Sequence, residues 1–335
     1  MKISIVVPVY NAVKTLPRLL RSLQRQTYKN IEILFVDNNS SDDSLKFLKE
    51  KATKDKRIKT YIEKKQGPNY AREKGFKKAT GDYIYFCDSD DELDKNALKN
   101  FVKVIEKTSA DVVIGDYIQI TENGEKHMSG IDKGKTDINL KDVKEVLLCK
   151  PCLWNKIFRK ELIDENFFVK TRIGEDMVIA LSCMGRAKKI YYTNNIIYRY
   201  YFAETGLSSN VSINSILDIK TTCISLKEIF VNDNNYSEYK AEIDFTILSH
   251  IIYRIMRSVL MKNPSEREIA YNELSEYFNT LDYKDNKYYK KKPHYRLAKT
   301  FLLKRKIYFN SLFTKICKVF FTNKKINRLV RSLDK

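Results

Sequence analysis

Residues 67–91, GPNYAREKGFKKATGDYIYFCDSDD, contain the pattern that decides the fold. Pro68 opens a predicted helix that runs toward Ala79, because proline suits the first turn of a helix. Residues 83–87, YIYFC, are a short apolar run, which is typical of a strand buried on both faces. Three carboxylates then follow within four residues, at 88–91. A helix, a buried strand and an acidic loop in this order predict one unit of a parallel sheet.

The same alternation of strand and helix extends on both sides of this unit. Upstream, three apolar runs predict strands with helices between them, at residues 3–9, 31–36 and 57–62. Downstream, a helix follows Asp94, and a fifth strand is predicted over 111–115. Right-handed crossovers between such strands give a Rossmann-like α/β fold, a mostly parallel sheet flanked by helices. Beyond about residue 210 the strand patterns stop, and helical patterns predict a C-terminal all-helical region.

Length and composition place limits on the class of protein. A chain of 335 residues with 43% apolar residues can bury a sizeable core, which excludes a disordered chain despite 31% charged residues. The first apolar stretch is short, is interrupted by Pro8 and has no small-residue cleavage site after it, so it predicts a strand rather than a signal peptide. No uncharged run reaches the roughly 18 residues of a membrane-spanning helix. We therefore expect a cytoplasmic chain with its six cysteines reduced.

The net charge of +20 is concentrated at one end of the chain. Residues 287–335 hold 16 Lys and Arg against one acid, a net charge of +15, whereas the remaining 286 residues hold 46 basic and 41 acidic groups, or +5. Apolar residues recur in this basic tail at near-helical intervals, at Leu297, Phe301, Tyr308, Leu312, Ile316 and Phe320. Such a basic amphipathic helix predicts peripheral association with an anionic membrane surface. Packing of its apolar side on the body is the alternative, and no nucleic-acid-binding motif accompanies the tail.

Polar side chains follow several of the predicted strands at the point where each strand ends. Pro8, Val9, Tyr10 and Asn11 end the first strand, Asp37 ends the second, and Asp88, Ser89, Asp90 and Asp91 follow the fourth. Because the carboxyl ends of parallel strands meet at one edge of a sheet, we expect these groups to converge on one crevice. Clustered carboxylates suit Mg²⁺ or Mn²⁺, which substrate phosphates usually complete. An acidic turn ahead of the next helix is the alternative interpretation of the cluster.

Other residues support both a functional and a structural interpretation, equally for Asp37 and with the structural one favoured for the rest when each is taken alone. Asp37 suits a hydrogen bond to a nucleoside, or the cap of the following helix. Arg72 suits a phosphate contact from the first turns of a helix, or an exposed position. Glu175 and Asp176 open a predicted helix, where acids are usually electrostatic caps, but a general base requires the same outward-pointing carboxylate. Trp154, the only tryptophan, suits stacking on a sugar or burial in the core.

In order and spacing, five segments of the chain resemble the family-2 glycosyltransferases of bacterial surface-polysaccharide synthesis. They are SIVVPVYN at 4–11, VDNNSSDDS at 36–44, the segment 67–91, WNKIFRKEL at 154–162 and GEDM at 174–177. The resemblance covers about residues 1–205. It implies a GT-A fold and transfer of a sugar from a nucleotide-activated donor with inversion of the anomeric centre. We therefore expect a GT-A catalytic domain over 1–209, a helical domain over 210–286 and a basic, membrane-associated tail over 287–335.

The resemblance implies a role for each matched position. The nucleotide sugar is expected to contact Pro8, Val9, Tyr10, Asn11, Asp37, Arg72, Asp88 and Ser89. The divalent cation, Mn²⁺ or Mg²⁺, is expected at Asp88, Asp90 and Asp91. Asp176 is expected to be the catalytic base, with Glu175 supporting it. The acceptor is expected to contact Trp154, Asn155, Tyr198 and Arg199, and Ser208 follows in the segment that closes over the donor.

Together these features predict a metal-dependent, inverting glycosyltransferase that moves one sugar from a nucleotide-diphosphate sugar, expected to be a UDP-sugar, to a hydroxyl of a growing lipid-linked cell-surface glycan. The chain contains no Gln-x-x-Arg-Trp motif, which marks processive synthases, so a single transfer is expected. The basic tail predicts a peripheral location at the inner face of the bacterial cell membrane, with no nucleic-acid partner. The alternatives are a sugar-nucleotide nucleotidyltransferase and a non-catalytic membrane- or nucleic-acid-binding protein with a degenerate transferase domain.

Overall fold

A computed structural model describes residues 1–131, 136, 138–202, 212–261, 263–292, 308 and 315. The chain divides into two compact units, Met1–Glu204 and Thr205–Lys335. The first unit is an α/β unit and the second is helical over its described residues.

The described residues of the first unit form a single nine-stranded sheet. Its strands are β1 Ile3–Val9, β2 Ile31–Asp37, β3 Ile58–Ile62, β4 Tyr83–Phe86, β5 Glu92–Leu93, β6 Val112–Thr121, β7 Gly124–Met128, β8 Lys156–Arg159 and β9 Ile190–Tyr201. Their order is β3-β2-β1-β4-β8-β6-β9-β5, with β7 paired to β6. Six strands run in one direction, and β5, β7 and β8 run in the other. The predicted mostly parallel α/β sheet is confirmed, with an antiparallel β8 inserted between β4 and β6.

Helices flank this sheet. They are α1 Leu16–Gln24, α2 Ser44–Lys54, α3 Pro68–Lys78, α4 Ala97–Thr108 and α5 Glu175–Arg186. In α1 the four leucines of its apolar face are all buried. In α3 a glycine permits close approach to the sheet, because a Cβ atom on Gly75 would lie 2.4 Å from Cγ1 of Val6 on β1. This contact holds α3 directly against the central strands.

Strand register determines where the candidate site lies. The residues of β2 are all buried, and β1 is buried except at Pro8, as expected for strands covered on both faces. Val9 pairs with Asp37, and Val6 pairs with Phe86, so β1, β2 and β4 end at the same edge of the sheet. The loops that follow these three strands therefore begin side by side.

The second unit contains α6 Ile213–Asn232, α7 Tyr236–Ser258, α8 Pro264–Asn279 and α9 Lys287–Lys291. Ser212 and Ser215 form a reciprocal capping box at the start of α6. None of the helices in the described part of the chain combines the length and apolarity needed to cross a membrane.

Part of the predicted amphipathic tail packs within this second unit. Tyr308 is fully buried, and its ring lies 4.3 Å from the ring of Tyr271 on α8. Its hydroxyl contacts that of Ser258, and its main-chain oxygen accepts a hydrogen bond from Arg267 at 2.7 Å. At Tyr308 the apolar side of the tail thus packs on protein, whereas Lys315 is exposed. The other members of the apolar stripe lie outside the described residues: Leu297, Phe301, Leu312, Ile316 and Phe320.

Candidate active site

Arg72 is the centre of an acidic cluster at the carboxyl edge of the sheet. It lies on α3, is only 4% exposed and forms ion pairs with residues from two other parts of the chain. Its guanidinium lies 3.2 Å from Oδ1 of Asp88, which follows β4. The same group lies 3.3 Å from Oε1 of Glu175 and 2.9 Å from Oδ1 of Asp176, which begin α5. The structure thus brings Asp88 together with Glu175 and Asp176, which lie almost ninety residues further along the chain.

The electrostatics of this cluster are unbalanced toward negative charge. Burial alone would lower the pKa of the Arg72 guanidinium, but the charges of Asp176, Asp88 and Glu175 outweigh it and raise that pKa. Burial raises the pKa of Asp176 to about 8, with Glu175 and Asp88 adding to the effect and Arg72 opposing it. Burial likewise raises the pKa of Glu175. Because one guanidinium faces three carboxylates, the site carries excess negative charge. It therefore favours the binding of a further cation, and its buried carboxyl groups lose their protons at a higher pH than usual.

The loop Asp88–Asp91 is held by β9 on one side and by the start of α1 on the other. On one side, the main-chain N–H of Asp88 donates to the hydroxyl of Tyr198, at 3.1 Å. On the other side, Thr15 donates to the carbonyl of Ser89 at 2.9 Å, and Arg18 on α1 contacts the carbonyl of Asp90. Arg18 also lies 3.5 Å above the ring of Tyr201. The sequence analysis did not identify Arg18, although its spacing of three from Thr15 places both residues on one face of the helix.

Asp91, whose role as a cation ligand stays a prediction, is buried and bonded to β9. It is only 1% exposed, and its Oδ1 accepts a hydrogen bond from the main-chain N–H of Tyr201 at 2.7 Å. Burial, and then the charges of Asp90 and Asp88, raise the pKa of Asp91 well above its ordinary value. A carboxyl group that is buried, bonded to β9 and inclined to be neutral serves to anchor the loop.

Asp88 and Asp90 have the chemistry that a divalent cation requires. Asp90 is exposed at the crevice, yet desolvation, and then the charge of Asp88, raise its pKa. A hard cation would relieve the repulsion between two such carboxylates and would accept donor phosphates as its remaining ligands. No group of three or more His, Cys, Asp or Glu side chains at ligand spacing occurs among the described residues. The residues thus fit a cation that is completed by substrate.

The ends of β1 and β2 form the other half of the crevice. Tyr10 is 52% exposed, and Pro8 is half-buried beside it. Asp37 is only 2% exposed, its Oδ2 accepts from the N–H of Ser40 at 3.2 Å, and its buried Oδ1 has no partner among the described residues. Such an orphaned acceptor suits a ligand donor, because a buried unpaired oxygen is costly. The side chain of Val9 is fully buried, so only its backbone is available to a ligand.

Asn11 and Asn38 shape the loops around this half. Asn11 has φ 47°, and its side chain accepts a hydrogen bond from the N–H of Ser41 at 2.8 Å. Asn38, which the sequence analysis did not identify, donates to the carbonyls of Glu63 and Lys65 and accepts from the N–H of Gly67 at 2.7 Å. Its position directly after Asp37, at the end of a predicted strand, could have indicated that Asn38 belongs to the site. These bonds fix the loop that leads into α3 and Arg72.

Three residues expected to contact the acceptor are buried in the structure. Trp154 is 5% exposed and stacks on the rings of Tyr198 and Tyr200, at 4.8 and 5.2 Å. Asn155 and Tyr198 are fully buried. Their contact with an acceptor stays a prediction. Arg199 is partly exposed and pairs with Glu125 at 3.0 Å, and Ser208 lies outside the described residues.

The resemblance implies a contact between Arg72 and the nucleotide, and that contact stays a prediction. In the structure the buried guanidinium pairs with Asp88, Glu175 and Asp176, and it links the loop after β4 to the start of α5.

Comparison with known proteins identifies the family. Residues 4–167 match the family model described as glycosyl transferase family 2. This match covers just under half of the chain and supports a family 2 glycosyltransferase domain over those residues. The chain shares 31% identity with glycosyltransferase GlyA of Streptococcus pneumoniae, over 62% of the chain and 31% of GlyA. It therefore spans about a third of the length of that relative.

Two further relatives are matched over more of their own length. The chain is 26% identical to the cholesterol galactosyltransferase of Borreliella burgdorferi, over 76% of each protein. It is 29% identical to the GalNAc(5)-diNAcBac-PP-undecaprenol beta-1,3-glucosyltransferase of Campylobacter jejuni, over 62% of this chain and 69% of that protein.

Solved structures of S. aureus TarS have the same fold. The crystal structure of TarS 1–349 in complex with UDP aligns with a TM-score of 0.65 and 19% identity, covering 97% of this chain and 92% of TarS 1–349. The expected GT-A fold, with a helical region after it, is confirmed.

Proposed function

We propose that the chain is a metal-dependent, inverting and non-processive glycosyltransferase that moves one sugar from a UDP-sugar to a hydroxyl of a lipid-linked cell-surface glycan. The observation that carries this proposal is the convergence of Asp88, Glu175 and Asp176 on the buried guanidinium of Arg72. Through Arg72, the loop after β4, which is expected to bind the donor diphosphate, lies close to Asp176, which is expected to be the base. The names of the relatives that act on lipids or lipid-linked glycans support the class of acceptor.

Donor binding is assigned to the edge formed by β1, β2 and β4. The exposed ring of Tyr10 offers a surface for the nucleoside base, and the unpaired Oδ1 of Asp37 accepts a hydrogen bond from it. Asp88 and Asp90 would hold the divalent cation together with the donor diphosphate. When bound, that cation would stabilise the negative charge of the leaving diphosphate.

Asp176 is the general base in this proposal. Its carboxylate removes the proton of the acceptor hydroxyl as the oxygen attacks the anomeric carbon from the face opposite the diphosphate, which inverts the configuration. Arg72 holds the carboxylate at 2.9 Å and favours its charged form. Glu175 contacts the same guanidinium nitrogen as Asp176, and Asp88 contacts the other, so these two acids keep Arg72 oriented. No covalent intermediate is needed, so one base suffices.

The basic tail is proposed to hold the enzyme at an anionic membrane surface, where lipid-linked acceptors occur. Tyr308 packs within the helical unit, so its own apolar ring is not available to a membrane. The lysines and arginines of the tail are then the groups that contact lipid headgroups.

Release of UDP from nucleotide sugars tests the proposal without knowledge of the acceptor. The chain is incubated with UDP-glucose, UDP-galactose or UDP-N-acetylglucosamine, with Mn²⁺ or Mg²⁺ and with EDTA. We expect slow hydrolysis of at least one donor that EDTA abolishes and added metal restores. Asp176→Asn should lower the rate by roughly 10²–10⁴-fold. Asp142→Asn, at an exposed carboxylate, is the matched control and should retain the rate. Retention of the rate by Asp176→Asn would contradict the assignment of the base.

A further inference from the structure

Lys150 holds its ammonium against an aromatic cluster that consists of Tyr117, Trp154, Tyr198 and Tyr200. In this cluster Trp154 packs on the other three rings, with centroid distances of 4.7, 4.8 and 5.2 Å. Nζ of Lys150 lies 5.1 Å from the ring centroid of Tyr117 and 5.4 Å from those of Trp154 and Tyr200. Distances below about 6 Å are those of cation–π contacts, so three rings hold this ammonium in place.

The ammonium of Lys150 has no carboxylate partner in the described part of the chain. The residue is exposed, and its Nζ donates a hydrogen bond to the hydroxyl of Tyr117 at 3.2 Å. Tyr117 is only 2% exposed, and among the described residues its hydroxyl finds no acceptor for its own proton. An ammonium and a phenolic O–H therefore lie side by side, and both can donate to one anion.

The main chain that carries Lys150 is fixed from inside the protein. Its carbonyl accepts a hydrogen bond from Nζ of the fully buried Lys156 at 2.7 Å. The same ammonium donates to the carbonyl of Cys152 at 2.9 Å and to Oδ1 of Asn155 at 2.8 Å. Nδ2 of Asn155 in turn donates to the carbonyl of Gly115 on β6 at 3.3 Å. The backbone at Lys150 is thus tied to the sheet, and the lysine extends its charge from a fixed position.

The aromatic cluster connects Lys150 to the loop expected to bind the donor diphosphate. At the inner end of the cluster, the hydroxyl of Tyr198 accepts a hydrogen bond from the N–H of Asp88 at 3.1 Å. Trp154 stacks on Tyr198 and also on Tyr200, which is partly exposed. A partly exposed ring offers an apolar surface to the C–H face of a sugar. The cation and this ring therefore lie where the sugars of an acceptor can reach them from the crevice.

We propose that Lys150, Tyr117 and Tyr200 form an acceptor subsite for a sugar that carries an anionic group, either a phosphate or a carboxylate. The ammonium and the phenolic hydroxyl bind the anion, and the ring of Tyr200 packs on the sugar. The inference rests on the proposed function and names the chemical class of its acceptor. Charge-assisted hydrogen bonds are roughly twice as strong as neutral ones, so the subsite selects a charged sugar over a neutral one.

Binding is measured with the full chain in EDTA and without a nucleotide sugar, so that neither a divalent cation nor a donor contributes. The probes are glucose, glucose 6-phosphate and glucuronate. Trp154 is the only tryptophan of the chain and lies beside Lys150, so its fluorescence, excited where tyrosine does not absorb, reports binding at this place. We expect a saturable change with at least one charged sugar and binding of glucose that is at least about tenfold weaker. The charged sugar that binds more tightly identifies the anionic group.

Variants show whether the cation binds the charged sugar. Lys150→Gln should raise the midpoint of that titration by about tenfold or more, whereas Lys150→Arg, which keeps the charge, should retain binding. Tyr117→Phe, which keeps the ring and removes the hydroxyl, should weaken binding by roughly 2–10-fold. Lys51→Gln is the matched control. Its ammonium lies 5.0 Å from the ring centroid of Phe47 but pairs with Glu50 at 3.1 Å, so its loss should leave the midpoint unchanged.

The outcomes separate the inference from the proposed function, because these titrations need no transfer of sugar. The inference is overturned if the wild type responds to neither charged sugar, if it binds glucose as tightly, or if Lys150→Gln weakens binding no more than Lys51→Gln does. A wild type that binds a charged sugar but releases no UDP from any donor contradicts the proposed function and leaves the subsite supported. A wild type that releases UDP but binds neither charged sugar contradicts the subsite alone.

Discussion

Arg72 is the single residue on which the three crevice acids depend, since it is buried and pairs with all of them. Arg72→Met should destabilise the protein by about 3–5 kcal/mol at pH 8, because it leaves buried carboxylates uncompensated. The loss should shrink toward pH 5, where Asp176, whose pKa is raised to about 8, is protonated and no longer repels Glu175. Urea unfolding at the two pH values measures it. Arg57→Met, which removes a partly exposed pair with Asp55, is the control and should cost less than about 1 kcal/mol at either pH.

Because of Asp176, activity and stability should change with pH in opposite directions. Because burial, Glu175 and Asp88 raise the pKa of Asp176 to about 8, kcat/KM for donor hydrolysis should fall as the pH drops through that value. The folded state favours the neutral carboxyl, so the stability that it contributes is fully present below the unfolded pKa, near 3.8, and is lost as pH rises through the folded pKa. Asp176→Asn keeps a neutral group at every pH. Its Tm should exceed that of the wild type above pH 8 and match it near pH 4; a lower Tm above pH 8 would contradict the sign.

The sequence identified the acids of the site more readily than their partners. Asp37 and Asp88 lie at the ends of apolar runs, and the local sequence pattern alone predicts where such a strand ends. The pairing of Arg72 with Asp176 joins residues 104 positions apart, and it depends on how α3 and α5 pack. Trp154 matched a motif, but its burial follows from contacts with Tyr198 and Tyr200 on a strand that no local pattern had identified.

At the scale of elements, the predicted strands are those with continuous apolar runs. β1, β2, β3 and β4 were predicted within one or two residues of their observed ends. β8 has only four residues and β5 only two, too few to show a periodicity. Their pairing with β4, β6 and β9 is set by distant parts of the chain. β6 was predicted over 111–115, whereas the observed strand extends to Thr121. Its second half is held in the sheet by pairing with β7 and β9, which the local sequence pattern does not show.

The close packing of α3 on β1 lets us predict how substitution of Gly75 changes the stability of the protein. Gly→Ala inside a helix usually stabilises by roughly 0.5–1 kcal/mol. At Gly75, however, the new Cβ would lie 2.4 Å from Cγ1 of Val6, a fully buried β-branched side chain that has no room to move. Overpacking costs about 1–3 kcal/mol, so Gly75→Ala should be destabilising in urea unfolding. It should cost less in a Val6→Ala background, where the methyl groups are gone. A stabilised Gly75→Ala single variant would show that α3 does not approach β1 so closely.

At the scale of the whole molecule, charge and catalysis are separated along the chain. The acids of the candidate site belong to residues 1–204, whereas three quarters of the net charge lies in residues 287–335. Within the second unit the burial of Tyr308 leaves the basic groups of the tail, rather than that aromatic ring, to contact a partner. A contact made by charges should be screened by salt, whereas one made by apolar side chains should not.

That difference makes the membrane proposal testable with the full chain and lipid vesicles. The chain should co-sediment with phosphatidylglycerol vesicles, not with pure phosphatidylcholine, and salt of about 1 M should release it, since the Debye length is then only about 3 Å. Replacing six tail residues by Gln should weaken binding at least about tenfold, since each basic group near the surface contributes about 1 kcal/mol; they are Lys299, Lys304, Arg305, Lys306, Lys315 and Lys318. The control replaces six exposed lysines of the first unit: Lys46, Lys49, Lys56, Lys78, Lys95 and Lys99. Both variants lose the same charge, so an equal loss of binding would mean that net charge, and not the tail, brings the enzyme to the membrane.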